Sequence, residues 1–226
     1  SRAQGSVVLV DGHTDGGDPG VFLNLVRSHH AGELIDAIDQ LDARSLGSVL
    51  VEHASGLKVL MAPSDLSASP SISPSSWQRI IEGLYEMADF VILDGPPLRS
   101  IGWMPVLDVV DDVFLITTPE ITAMRRLGQA RSIAESRRRI PANVHVVLNR
   151  YAKQSGFSMG AIARTLGAAI HTCIDEVGPL NTYAINRGVP LVLSDKRSSL
   201  AQAVGKLAGR IIEQRLSAAV EGKGKQ

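Results

Sequence analysis

Cysteine is almost missing from this chain: Cys173 is the one thiol in 226 residues. That excludes an internal disulfide framework and a multi-thiolate metal site, and it suits a reducing cytosol. Net charge is missing as well. The 23 basic and 23 acidic side chains cancel, so no global field draws the chain to nucleic acid or anionic lipid, and any such contact must come from a local patch. Long apolar runs are absent too: the longest, such as 90–93 and 144–148, fall far short of the roughly 20 residues that cross a bilayer. His29, His30, His53, His145 and His171 show no metal-ligand spacing with cysteine or paired carboxylates. No strand-like segment is followed by G-x-G-x-x-G, which argues against a dinucleotide-dependent oxidoreductase.

What is present is a foldable mixture, 44% hydrophobic and 20% charged, of a length suited to one α/β domain because single cores commonly grow to about 250 residues. Short β-branched or apolar runs recur at 7–10, 57–61, 90–93, 113–117, 144–148 and 170–174. They are continuous rather than alternating, as expected of parallel strands covered on both faces. Helical patterns fall between most of them, at 32–43, 74–88, 121–138, 158–166 and 180–187, with a last one at 198–220. Six strands alternating with helices predict a doubly wound, mostly parallel α/β sheet over residues 1–220 and a frayed tail at 221–226. The Ser- and Pro-rich stretch 64–76 reads as a surface loop feeding a helix at Pro74.

In open α/β sheets ligands bind outside the carboxyl ends of the strands. Two aspartates stand there: Asp11 after Val10 and Asp94 after Leu93. A carboxylate so placed can hold Mg²⁺ directly or through water; it can equally serve as a turn or cap residue. Asp94 is followed by Gly95, Pro96 and Pro97, which shape a rigid turn, and Asp11 opens a segment running through His13, Asp15, Gly17, Asp18 and Asn24.

The Asp94-Gly95-Pro96 turn resembles the Walker B strand and switch II entry of the MinD/ParA family of deviant P-loop ATPases. The segment from Asp11 resembles switch I of MinD and, with Gly17-Asp18 and Leu23-Asn24-Leu25, is more similar still to the pilus-assembly localisation proteins CpaE and TadZ. Thr118-Pro119-Glu120, Leu148-Asn149-Arg150, Ile174-Asp175-Glu176 and the run from Ala184 to Asp195 look like further family segments in the family's order. The resemblance implies a P-loop NTPase-like fold with ATP and Mg²⁺ as ligands. It makes Asp94 the metal-side carboxylate, Asp11 the switch I carboxylate and Asn149 an adenine contact, with Arg150, Asp175 and Pro96 beside the nucleotide. Asn149 also suits a plain strand-to-loop turn, and Arg150 a solvated surface charge.

Two departures matter. The family's Asp-x-Asp is Asp11-Gly12-His13 here, so an imidazole without negative charge stands at the water-orienting position, which implies slow or absent hydrolysis. No G-x-x-x-x-G-K-[ST] loop occurs in these residues, so the expectation is that a strand, P-loop and helix lie upstream. The resemblance further implies nucleotide-dependent homodimerisation, binding of ATP and ADP, and placement of a Flp/Tad-type pilus or secretion apparatus from the cytoplasm, at a cell pole or peripheral to the inner membrane. A non-catalytic scaffold, a partitioning ATPase and a septum-site ATPase are the alternatives; zero net charge disfavours nucleic acid. MinD proteins anchor to membranes by a basic C-terminal amphipathic helix. The stripe Val204, Leu207, Ala208, Ile211, Ile212 and Leu216 beside Lys206, Arg210 and Arg215 admits such a contact, although packing on the protein's own sheet is the preferred reading.

Overall fold

A computed structural model describes residues 5–13, 17–26, 28–63, 72–95, 101–136 and 143–223, with 101–104, 133–136 and 218–223 as backbone only. Two compact units result, Ser1–Asp112 with Ala130–Asn143, and Val113–Gln129 with Val144–Gln226.

The first unit is built on β1 (Val7–Asp11), β2 (Val51–Glu52), β3 (Lys58–Leu60) and β4 (Phe90–Asp94), in the order β2-β3-β1-β4. The continuous Val-Val-Leu-Val of β1 suits a central strand. It pairs in parallel with β3 through Val8↔Lys58 to Val10↔Leu60 and with β4 through five rungs from Val7↔Phe90 to Asp11↔Asp94. The two-residue β2 was not expected; it pairs antiparallel to β3 across a tight turn in which Gly56 takes φ 82°. Helix α1 (Pro19–Phe22) follows β1.

The expected helix at 32–43 is instead a 3-10 segment, Ala31–Gln40, followed by α2 (Ala43–Ser48). Local capping explains the break. His30 Nδ1 accepts the Gly32 N–H at 3.1 Å while Glu33 takes the His30 N–H at 2.8 Å. Twelve residues after His30, Asp42 accepts the Ser45 N–H at 2.7 Å and starts a new helix. Helix α3 (Pro74–Met87) begins with Ser73 accepting the Ser76 N–H and with Pro74 in its first turn. Its face Trp77, Ile80, Ile81 and Leu84 is buried against Val8, Val10, Leu34, Leu46 and Leu60. Each such side chain contributes about 1.5–3 kcal/mol by leaving water. A 3-10 segment, Ile101–Asp108, adds Val106 to this core.

The second unit has β5 (Asp112–Thr117), β6 (Asn143–Tyr151) and β7 (Ile170–Asp175) in that order, with β6 and β7 parallel. Helix α4 (Ile121–Ser136) follows β5. The β6–β7 crossover is α5 (Met159–Leu166), capped by Ser158 and ended by Gly167 at φ 60°; Val146, Val147, Leu148, Ile162 and Leu166 are buried. Helices α6 (Pro179–Asn186), α7 (Leu191–Ser194) and α8 (Ser199–Lys223) follow. Helix α8 runs as far as Lys223, and the rest of the tail lies outside the described residues. Along α8, Val204, Leu207 and Ile211 are half-buried, whereas Ile212 and Leu216 are 46% and 63% exposed.

Candidate functional site

The five-rung pairing of β1 with β4 makes Asp11 and Asp94 register partners at the carboxyl rim of the first unit. The Gly12 N–H donates to the Asp94 carbonyl at 2.9 Å, extending the ladder by one bond. Asp11 is fully buried and Asp94 half exposed, with its side chain 52% accessible. Between them lies the ring of His13, whose Nδ1 is 3.5 Å from Asp11 Oδ1 and 3.9 Å from Asp94 Oδ2. The His13 N–H donates to Asp11 Oδ1 at 3.2 Å, whereas Asp11 Oδ2 has no hydrogen-bond partner among the described residues.

Burial pushes the Asp11 carboxyl above its ordinary range. The His13 and Ala62 N–H groups and the His13 charge oppose that shift, and the Asp94 charge adds to it. A buried carboxylate with an orphaned oxygen, beside a second carboxylate, is a site short of positive charge. The donor set therefore suits a hard divalent cation, which takes oxygen ligands.

Gly17 closes this site. A Cβ added there would lie 2.0 Å from both Asp11 oxygens, so the chain returning from the rim can pass the carboxylate only as glycine. Asp15 and Pro96, both drawn into the site by sequence, lie outside the described residues.

A second cluster forms at the carboxyl ends of β6 and β7 in the second unit. Asn149 turns its Oδ1 to accept the Arg150 N–H at 2.9 Å, and Arg150 takes a left-handed conformation at φ 56°, uncommon for a residue with a Cβ. Arg150 Nε donates to Glu176 Oε2 at 2.7 Å, Glu176 Oε1 accepts the Gly178 N–H at 2.7 Å, and the Glu176 N–H donates to the Tyr151 carbonyl at 3.0 Å. The Arg150 guanidinium holds the Glu176 carboxyl below its ordinary range, and Glu176 raises Arg150 in return. Glu120 is also lowered, chiefly by the Thr118 hydroxyl.

Asn149 and Arg150 are thus neighbours in an irregularity near the end of β6, between Leu148 and Tyr151, which pair in register with β7. Asp175 instead lines a groove between β7 and α8. Gly17 and Glu176 appear in the sequence only as members of segments that carry the resemblance, with no role of their own. The acidic residue at a strand end was the available signal for Glu176, and Asp175 drew it.

No family model matches the chain. The septum site-determining protein MinD of Thermotoga maritima is 24% identical over 168 residues, covering 72% of this chain and 61% of the relative; the chain thus spans about three fifths of that relative's length. Among solved structures, a ParA family ATPase from Chlorobium tepidum TLS superposes with a TM-score of 0.84 at 21% identity, covering 92% of this chain and 87% of that one. A MinD complexed with Mg-ADP from Pyrococcus horikoshii OT3 gives 0.74 at 19% identity, covering 92% and 83%. The fold is that of the solved MinD/ParA P-loop ATPases, and the relatives it resembles in sequence are MinD proteins.

Proposed function

We propose that this chain is the greater part of an ATP- and Mg²⁺-binding, MinD/ParA-like protein of the CpaE/TadZ kind, which dimerises with nucleotide and positions a Flp/Tad-type pilus or secretion apparatus. The register pairing of Asp11 with Asp94 at one strand rim carries this reading: it sets two carboxylates where a metal-bound triphosphate would meet them. Asp94 and Asp11 would hold the metal, which when bound neutralises charge on the phosphates. The His13 N–H orients the Asp11 carboxylate, and in this reading His13 takes the place of the residue that would orient attacking water. Asn149, Arg150 and Glu176 form a cluster suited to the base. Exposed Val21 and Phe22, within the candidate switch segment, and Val26, just after it, would supply apolar surface for a second copy.

An upstream strand and P-loop belong to this proposal. Peripheral membrane contact through exposed Ile212 and Leu216 on α8 is part of the same reading. Among the described residues no helix is long and apolar enough to cross a membrane.

The test is an ATP-binding titration with Mg²⁺ on the chain with its upstream segment, beside Asp94→Asn. Saturable binding that requires Mg²⁺ and weakens at least ten-fold in the variant is expected; equal binding by both proteins rejects the assignment. A non-catalytic scaffold is the second reading, favoured by His13. It predicts nucleotide-dependent dimers by light scattering with no phosphate release.

A further inference from the structure

In the second unit, α8 lies along β7 and leaves a groove of about 340 Å³, at the small end of the range of about 300–1,000 Å³ for ligand clefts. Lys206 and Arg210 line one end, one helical turn apart, so their side chains emerge on the same face, roughly 5–6 Å apart at Cβ. Like charges so spaced weaken a helix, and among the described residues neither has a carboxylate partner. Arg210 is nevertheless held in place, because its Nη1 donates to the His171 carbonyl at 2.9 Å. One of five guanidinium donors is used, and the remaining fork is available to a second acceptor.

The other groove walls do not oppose negative charge at that end. The Cys173 thiol is pushed up by burial and by Asp175, so it stays neutral on the groove floor. Asp175, the one carboxylate in the lining, lies four strand residues beyond the Arg210 anchor, about 13 Å away at about 3.3 Å per residue. That exceeds the roughly 8 Å over which charges are felt at physiological salt. At Asp175's end Ser199 offers a hydroxyl.

We propose that this groove binds a phosphate group, with Lys206 and Arg210 as its ligands and the Ser199–Asp175 end receiving whatever the phosphate carries. The Arg210 fork takes two phosphate oxygens and Lys206 a third as a point charge. The site uses residues of the second unit alone, so it stands or falls independently of Asp11 and Asp94.

The experiment follows the Arg210 side-chain N–H resonance in full-length protein titrated with inorganic phosphate, at ionic strength held constant with chloride. Wild type and Lys206→Gln are compared, and the loss of the signal in Arg210→Gln assigns the resonance. Expected is a saturable shift confined to the groove, with affinity at least ten-fold weaker in Lys206→Gln. That variant loses no hydrogen bond among the described residues, so its backbone spectrum should be otherwise unchanged. A parallel arm sediments the proteins with phosphatidylcholine vesicles containing phosphatidic acid. Vesicle binding lost in Lys206→Gln assigns the phosphate to a lipid headgroup; a phosphate shift without vesicle binding assigns it to a small molecule. A shift that does not saturate, or that survives unweakened in Lys206→Gln, overturns the proposal, as does silence in both arms.

Discussion

Replacing Gly17 by alanine tests the geometry of the acidic rim. The added Cβ would sit 2.0 Å from each Asp11 oxygen and 2.2 Å from its Cγ, against an ordinary contact near 3.4 Å, so a separation of about 1.4 Å must open. The carboxylate cannot supply it: Asp11 is fully buried, and β1 is paired on both sides. The segment carrying Gly17 must retreat, at the roughly 1–3 kcal/mol typical of an overpacked site. At about 2–4 °C per kcal/mol for a domain of this size, the full-length protein should melt about 2–12 °C lower by circular dichroism. The rise in melting temperature on adding Mg²⁺ and ATP should disappear. Gly95→Ala is the stability control, since its Cβ would meet nothing within 4 Å. A Gly17→Ala protein that melts with wild type and keeps its Mg-ATP response would refute the reasoning.

Further outcomes follow from the same rim and from the second cluster. Burial holds the folded Asp11 carboxyl above its unfolded value of 3.8, so stability is lost as pH rises from that value through the raised one. Asp11→Asn should therefore be more stable than wild type near pH 7 in urea unfolding. Its advantage should shrink as pH falls toward the unfolded value, and a pH-independent difference would count against the desolvated carboxylate. His13→Asp, restoring a carboxylate at the water-orienting position, is expected to raise steady-state phosphate release at least ten-fold, within the roughly 10²–10⁴ reach of a positioned base; an unchanged rate removes His13 from the explanation of slow turnover. Glu176→Gln should leave the melting temperature nearly unmoved, since solvent screens an exposed ion pair and it contributes little to stability. It should weaken ATP binding by freeing Arg150, and an unchanged dissociation constant would place Arg150 away from the nucleotide.

Much of this architecture is written in local pattern. Continuous β-branched runs gave away β1, β4 and β7, and the rule that ligands gather at strand ends singled out Asp11 and Asp94 before their register pairing was known. Elements whose cause is local but not periodic were harder. The Asp42–Ser45 cap cuts a helix that apolar spacing alone would continue. The 3-10 segment Ile101–Asp108, with Pro105 inside it, has no 3.6-residue signature to detect. Contacts set by loop path or register were not legible at all. Gly17 meets Asp11 by a close approach that no sequence spacing announces, and Glu176 reaches Arg150 only because β6 and β7 align residues 26 positions apart.

The ladder between β1 and β4 also acts as a ruler. Five consecutive rungs end on Asp11 and Asp94, so the two backbones stand at the fixed inter-strand spacing of about 4.8 Å, and neither can withdraw without unzipping a sheet. A change in what occupies the rim cannot be signalled by these strands drawing apart. It has to be passed on by the segments that leave them, after Gly12 on one side and after Gly95 on the other.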